Sequence, residues 1–176
     1  RVRVVDDLGK AVAGVPVGLV NQSAEFSYNL AQALTQGSAE CEPYAELLHW
    51  QSSFTDSPSM AVALDFPLAE AVSVPIRPSE WPEGDVVLQL PAVGSVLLRV
   101  KSADRNVRLK GLMSSLARTL EGAPAWAAGS GVLRAVLEDS DLRFWPVGVG
   151  VQLTASVWPE DAMQPEELVF DGPLVQ

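Results

Sequence analysis

The sequence has few of the residues from which most active sites and metal centres are built. Its 176 residues include one histidine, His49, and one cysteine, Cys41. Zinc sites combine several His or Cys ligands, so these two residues exclude a multi-histidine site, and one cysteine excludes a disulfide within the chain. No motif places a catalytic partner beside either residue. We therefore predict no cofactor and no bound metal.

Basic residues are also scarce. The chain has 12 Lys and Arg against 22 Asp and Glu, a net charge of −10. Affinity for nucleic acid comes largely from basic side chains that neutralise phosphates, so a nucleic-acid partner is excluded, and an anionic membrane surface is disfavoured. No apolar run approaches the roughly 18 residues of a membrane span, so we predict no membrane insertion. The carboxylates indicate a solvated, self-repelling surface, with Ca²⁺ binding by some of them as the alternative.

What the chain does contain is a series of short apolar runs separated by proline and glycine, 13 of each. Such punctuation is typical of an all-β sandwich or barrel, whereas long segments of helical periodicity are missing. One short helix within residues 24–50 is left open. Pro16 and Pro75 interrupt strand runs and predict edge strands. The predicted strands are 2–5, 12–20, 60–66, 71–76, 85–90, 95–100, 131–138, 142–157 and 167–170.

Two pairs of segments echo each other along the chain. Residues 72–91 and 151–173 each contain Trp-Pro-Glu between two strand signals, and 2–12 and 97–107 each contain a strand, a polar turn and a valine. The repeated order predicts tandem modules. We expect a first module over 1–91 with a long insertion near 24–50, a second over 92–173, and the start of a further segment at 174–176. Since Arg1 already belongs to a strand signal, we expect a piece of a longer protein.

The stretch RVVDDLGKAVAGVPVGLV carries a family resemblance. It resembles the first hairpin of carboxypeptidase-regulatory-like and transthyretin-like domains, with Ala11 where the family usually has proline. A second family motif is partly present in FTDSPSMAVALDF, where Thr55 and Asp56 match and Ser59 replaces a glycine. The matching residues of the first motif are Val5, Asp6, Gly9, Val12, Gly14, Val17 and Leu19.

The resemblance covers residues 1–91 better than 92–176. It implies tandem Greek-key β-sandwiches of Ig-like or transthyretin-like type. Such domains serve as accessory modules in exported and surface proteins, so the resemblance also implies an extracellular, cell-surface or periplasmic location. It does not imply catalysis.

The tryptophans are the candidate binding residues. Exposed aromatic side chains on a sandwich can stack on sugar rings. Trp126, in the Gly/Ala/Pro-rich segment EGAPAWAAGSG, and Trp50 are the predicted platforms. Trp81 and Trp158 recur in the two Trp-Pro-Glu echoes, which favours packing at the end of a core or at a module junction.

Other polar motifs have simpler interpretations. Ser130 lacks the flanking glycines of a nucleophile elbow, because Ala128 and Val132 stand at that spacing. The acidic pairs and clusters, at Asp6 and Asp7 and over Glu138–Asp141, are read as solvated turns.

Three classes of function remain. We predict a non-catalytic spacer, docking or adhesion module that contacts a protein partner or neighbouring modules. The alternative is a carbohydrate-binding accessory module that uses Trp126 and Trp50 to hold a polysaccharide. An enzyme built from scattered carboxylates such as Asp56, Asp65 or Glu138 is the third class, but no spacing picks out a catalytic pair.

Overall fold

The computed structural model of the chain describes residues 1–22, 27–37, 60–77, 84–101, 111–119, 131–138, 141–159 and 163–174. Within these ranges the chain forms twelve β-strands and no helix, which confirms the all-β prediction. No segment of the described ranges is therefore a helix that could cross a membrane. The chain divides into two compact units, Arg1–Asp65 with Glu70–Pro91, and Phe66–Ala69 with Ala92–Gln176.

The first unit contains a four-stranded and a two-stranded sheet. Its four-stranded sheet is antiparallel in the order β3-β2-β4-β5, and β1 pairs with β6 in parallel. Strand β4 lies between two partners, and its continuous apolar run is buried throughout, as expected of an interior strand. The strands are β1 Val2–Val5, β2 Pro16–Gln22, β3 Ser27–Leu34, β4 Met60–Leu64, β5 Ser73–Pro75 and β6 Val86–Gln89.

The opening segment turns where expected and forms only a short hairpin, in which Asp6 N donates a hydrogen bond to Lys10 O and Val12 N donates one to Val4 O, both at 2.9 Å. Gly9 adopts a φ of +78° in the turn after β1, and Asp6 Oδ1 accepts hydrogen bonds from the main-chain N–H groups of Leu8 and Lys10. The chain then bends at Gly14, whose φ is +76°. Strand β2 then joins the other sheet, so the predicted pairing holds only around the bridge between Val5 and Ala11 and is wrong for the rest of the two strands.

Residues 27–34 form a strand rather than part of a helix. Strand β3 pairs with β2 from Pro16 opposite Leu34 to Gln22 opposite Ser27, with one register shift between Leu19 and Val20. Pairing with an interior strand outweighs the weak local helical tendency of this segment. The short helix left open within 24–50 is therefore wrong for this part, and residues 38–50 lie outside the described ranges.

The two proline predictions have different outcomes. Pro75 ends β5, which is an edge strand of the described sheet, as predicted. Pro16 instead begins β2, an interior strand, so its prediction is wrong. Proline is tolerated at the first residue of a strand because little of the ladder depends on its missing N–H.

The second unit also contains a four-stranded and a two-stranded sheet. The four-stranded sheet is antiparallel in the order β12-β11-β8-β9, and β7 pairs antiparallel with β10. Leu98 and Phe144 of the two-stranded sheet are buried, whereas Leu97 and Trp145 are exposed on the other face. The strands are β7 Val93–Arg99, β8 Met113–Arg118, β9 Leu133–Val136, β10 Asp141–Gly148, β11 Gln152–Val157 and β12 Glu166–Asp171.

The echoed segments pair differently in the two units. Strands β5 and β6 belong to different sheets, whereas β11 and β12, at the corresponding places of the second echo, pair with each other. Strand β1 has a parallel partner and β7 an antiparallel one. Separate tandem modules over 1–91 and 92–173 stay a prediction.

Thr35 provides the first stability test, because one buried hydroxyl satisfies two main-chain groups. Its Oγ1 accepts a hydrogen bond from Val15 N at 2.9 Å and donates one to Val12 O at 2.8 Å. Thr35→Val keeps the shape and leaves both groups unpaired. We expect urea denaturation to show a loss of about 2 kcal/mol in the free energy of unfolding. Thr35→Ser, which keeps the hydroxyl, is the control, and an unchanged midpoint for Thr35→Val would contradict this role.

Candidate functional site

A row of polar side chains crosses the four-stranded sheet of the second unit. The register places Arg134 of β9 opposite Ser115 of β8, Ser115 opposite Ser156 of β11, and Ser156 opposite Glu167 of β12. Directly opposed residues in antiparallel strands share one face of the sheet. These four side chains therefore lie on one face, with a cation on one edge strand and a carboxylate on the other.

An apolar row lies beside this polar row on the same face. Val136 is opposite Met113, and Trp158 follows β11 at the position opposite Met113, where Trp158 N donates a hydrogen bond to Met113 O at 2.9 Å. Trp158 is half-buried, whereas Met113 and Val136 remain 49% and 48% exposed. The aromatic side chain of Trp158 therefore lies two residues along the strand direction from the row that carries the serine hydroxyl groups and the guanidinium.

A cavity of about 300 Å³ opens at the junction of the two rows. Its described lining residues are Met113, Ser114, Ser115, Arg134 and Trp158, and we call it the Trp158 cavity. A volume of this size is at the small end of ligand pockets and suits a single ring. Most of the lining comes from regular strands, which position side chains more precisely than loops do.

Two serine hydroxyls at the cavity have no hydrogen-bond partner in the described structure. The Oγ atoms of Ser114 and Ser115 are buried, with side chains only 1% and 3% exposed. Side chains alternate along a strand, so Ser115 shares the face of Met113 and Arg134, whereas Ser114 points to the opposite face. A buried hydroxyl without a partner is costly. The Ser115 Oγ atom is closed off from solvent, so a ligand in the cavity supplies this partner only when the Ser115 side chain turns toward it.

The acidic segment near β10 is not a free carboxylate cluster. Arg99 donates hydrogen bonds from Nε and Nη2 to the two oxygens of Asp141, both at 3.0 Å. The hydrogen bond to Asp141, with its Coulomb attraction, raises the pKa of Arg99. Asp141 begins strand β10 rather than lying in a solvated turn, so that part of the turn prediction is wrong. In the described ranges no three His, Cys, Asp or Glu side chains form a group that could hold a metal ion.

None of the described lining residues of the Trp158 cavity was predicted from sequence as a binding residue. Asp6 holds its turn as expected. Asp65 is buried in the first unit, where Gln32 Nε2 donates a hydrogen bond to its carboxylate. Trp50 and Trp126 stay predicted sugar-binding residues, because they lie outside the described ranges, as do His49, Cys41, Asp56, Trp81, Ser130 and Asp139.

Sequence reasoning missed the Trp158 cavity for two reasons. It did not predict strand β8, whose LMSSLA sequence carries two serines inside an apolar run. It also assigned Trp158 a packing role on the strength of the Trp-Pro-Glu echo. The adjacent serines in a strand were the available signal, because alternation must bury at least one of them against the core.

Comparison with known proteins adds little. No protein-family model matches the chain, and no curated protein matches it. Among solved structures, one described as "Structure of the Streptococcal ancillary pilin" is similar over 99% of this chain, at 13% identity and a TM-score of 0.29. The chain spans 60% of the length of that pilin. Identity and structural similarity of this size do not transfer the pilin's role to this chain.

The unpartnered hydroxyls give the second stability test. Ser114→Ala and Ser115→Ala each remove a buried polar group that forms no hydrogen bond in the described structure. We expect each variant to raise the free energy of unfolding by about 1 kcal/mol, measured by urea denaturation without added ligand. Thr154→Val is the contrasting control, because the Thr154 hydroxyl is hydrogen-bonded to Thr119 Oγ1 at 2.9 Å, and its loss should destabilise. A loss of stability in both serine variants would show that these hydroxyls have partners.

Proposed function

We propose that the chain is a non-catalytic binding module of a larger exported or cell-surface protein, and that the Trp158 cavity holds its ligand. The observation that carries this proposal is the buried Ser115 hydroxyl, which has no described partner and faces the same side of the sheet as Trp158 and Arg134. A site of this composition is polar where a ligand must be oriented and apolar where its ring must lie.

The cavity fits a pyranose ring that carries a carboxylate. Trp158 offers an aromatic face on which the C–H face of a sugar can stack. Ser115 can exchange a hydrogen bond with a ring hydroxyl, which removes the cost of its burial. Arg134 presents a guanidinium whose planar fork matches a carboxylate in a bidentate pair. The ligand class is therefore a uronic acid within a polysaccharide.

The family resemblance of residues 3–20 supports the wider setting. Carboxypeptidase-regulatory-like and transthyretin-like domains accompany other modules of exported proteins, so the resemblance favours an extracellular, cell-surface or periplasmic location. The φ values of +78° at Gly9 and +76° at Gly14 explain why glycine occupies two of the matching positions. In this setting the chain binds its ligand and leaves any chemistry to other parts of the protein.

Binding of D-glucuronate, with D-glucose as the uncharged comparison, tests the proposal by ligand-observed NMR titration of the whole chain. Arg134→Gln should weaken glucuronate binding about tenfold, because a charge-assisted hydrogen bond is lost. Arg143→Gln is the matched control, since Arg143 is an exposed arginine on strand β10 of the two-stranded sheet. The affinity of wild-type protein should fall as salt is added.

The serine pair separates binding from folding. Ser115→Ala should weaken glucuronate binding several-fold although it stabilises the free protein, whereas Ser114→Ala should stabilise without changing binding. Equal affinity for glucose and glucuronate would show that Arg134 does not contact the carboxylate of the ligand. If neither sugar binds, or if the Arg134 and Ser115 variants bind glucuronate as wild-type does, the proposal fails.

A further inference from the structure

Among the described strands, β12 lies at the edge of its sheet and has no partner on its outer side. In the described sheet it pairs only with β11, in an unbroken register from Glu166 to Asp171. Gly172 N donates a hydrogen bond to Val151 O at 2.8 Å, which fixes the alternation of the ladder. Every second residue before Gly172 is hydrogen-bonded in the same way, so the main-chain groups of residues 166, 168 and 170 bond to β11. The N–H and C=O groups of Glu167, Val169 and Asp171 therefore point outward, away from β11.

The strand carries carboxylates, but it lacks three other devices that protect an edge. Edge strands are commonly blunted by lysine, proline or a bulge. Strand β12 contains no lysine or proline, and its ladder with β11 has no register shift. It also exposes apolar side chains on both faces, since Leu168 is 58% exposed and Val169 is 52% exposed. This combination is typical of a strand that receives a partner strand.

The end of the strand is held in place. A Cβ added at Gly172 would lie 2.6 Å from Val151 O, so the chain passes close to the start of β11. Gly150 N donates a hydrogen bond to Pro173 O at 2.8 Å just beyond this point. Because its C-terminal end is anchored twice, β12 presents a preformed template, and a partner strand need not order it on binding.

The charge of the strand selects the partner. Glu166 and Glu167 precede the exposed apolar pair, and Asp171 follows it, with no basic residue on the strand. We infer that β12 binds an extended basic segment of another protein by strand addition. That segment carries apolar or β-branched residues opposite Leu168 and Val169, and lysine or arginine opposite the carboxylates. The inference is independent of the Trp158 cavity and of the sugar proposed for it.

A second copy of this chain is a poor occupant of the same edge. Outward-facing residues must pair with outward-facing residues in a new antiparallel ladder. Two registers of equal length meet this condition: the one centred on Val169 places Glu167 of each copy opposite Asp171 of the other, and the one centred on Leu168 places Glu167 opposite Val169 and gains no charge pairing. Like charges directly opposite each other destabilise a strand pair, and each copy also carries a net charge of −10. A basic partner meets the same positions with favourable charge.

The test uses the whole chain and a fluorescent peptide, KRVTVKR, capped at both ends, with binding followed by anisotropy. Val169→Pro removes an outward N–H and leaves the bonds to β11 intact, so it should weaken peptide binding by about tenfold or more. Val169→Thr, which keeps that N–H and the β-branched shape, should bind like wild-type. Thermal unfolding should stay similar in both variants.

Two further peptides and a size measurement complete the test. EEVTVEE has the same centre with reversed charge and should not bind. KRPTPKR keeps the charge but cannot form the ladder. If it binds as tightly as KRVTVKR, the binding is non-specific charge attraction and the inference is overturned. Unchanged binding in Val169→Pro would also overturn it, as would sedimentation showing a wild-type dimer that Val169→Pro dissociates.

Discussion

The antiparallel register between β8 and β11 is the constraint on which the second unit depends. It places Ser115 beside Ser156 and Trp158 beside Met113, and β9 and β12 extend the same rows to the edges of the sheet. Side chains alternate with a period of two, so a slip of one residue would turn Ser115 to the other face. Leu116 and Leu153, both fully buried, oppose such a slip because it would move the core leucines outward.

The two edges of this sheet differ in chemistry. The β9 edge carries Arg134 and borders a cavity with an aromatic wall, which suits a small anionic ring. The β12 edge carries carboxylates around an exposed apolar pair, which suits an extended basic chain. The two edges of one sheet thus suit ligands of opposite charge. Sandwich folds commonly serve in this way, as rigid supports whose edges and ends carry recognition.

Much of the fold could be predicted from sequence, because alternation and turn residues are local signals. Val2–Val5, Met60–Leu64 and most later strands follow directly from them, as does the turn at Gly9. Pairing is a non-local property, and here sequence reasoning failed. It joined β1 to β2, and it left Ser27–Leu34 open to a helix. The composition of the Trp158 cavity was missed for the same reason, since its residues come from β8, β9 and the position that follows β11.

Cross-strand distances between Hα protons, measured by NMR on the free protein, test the register most directly. In an antiparallel pair, opposed residues that do not share hydrogen bonds bring their Cα atoms to about 4.5 Å, and their Hα protons give strong contacts. The hydrogen bond from Trp158 N to Met113 O makes Ser114–Val157 and Leu116–Ala155 such pairs. We predict strong Hα contacts for both pairs. Contacts from Ser115 to Val157 would show a one-residue slip and contradict the placement of Ser115, Arg134 and Trp158 on one face.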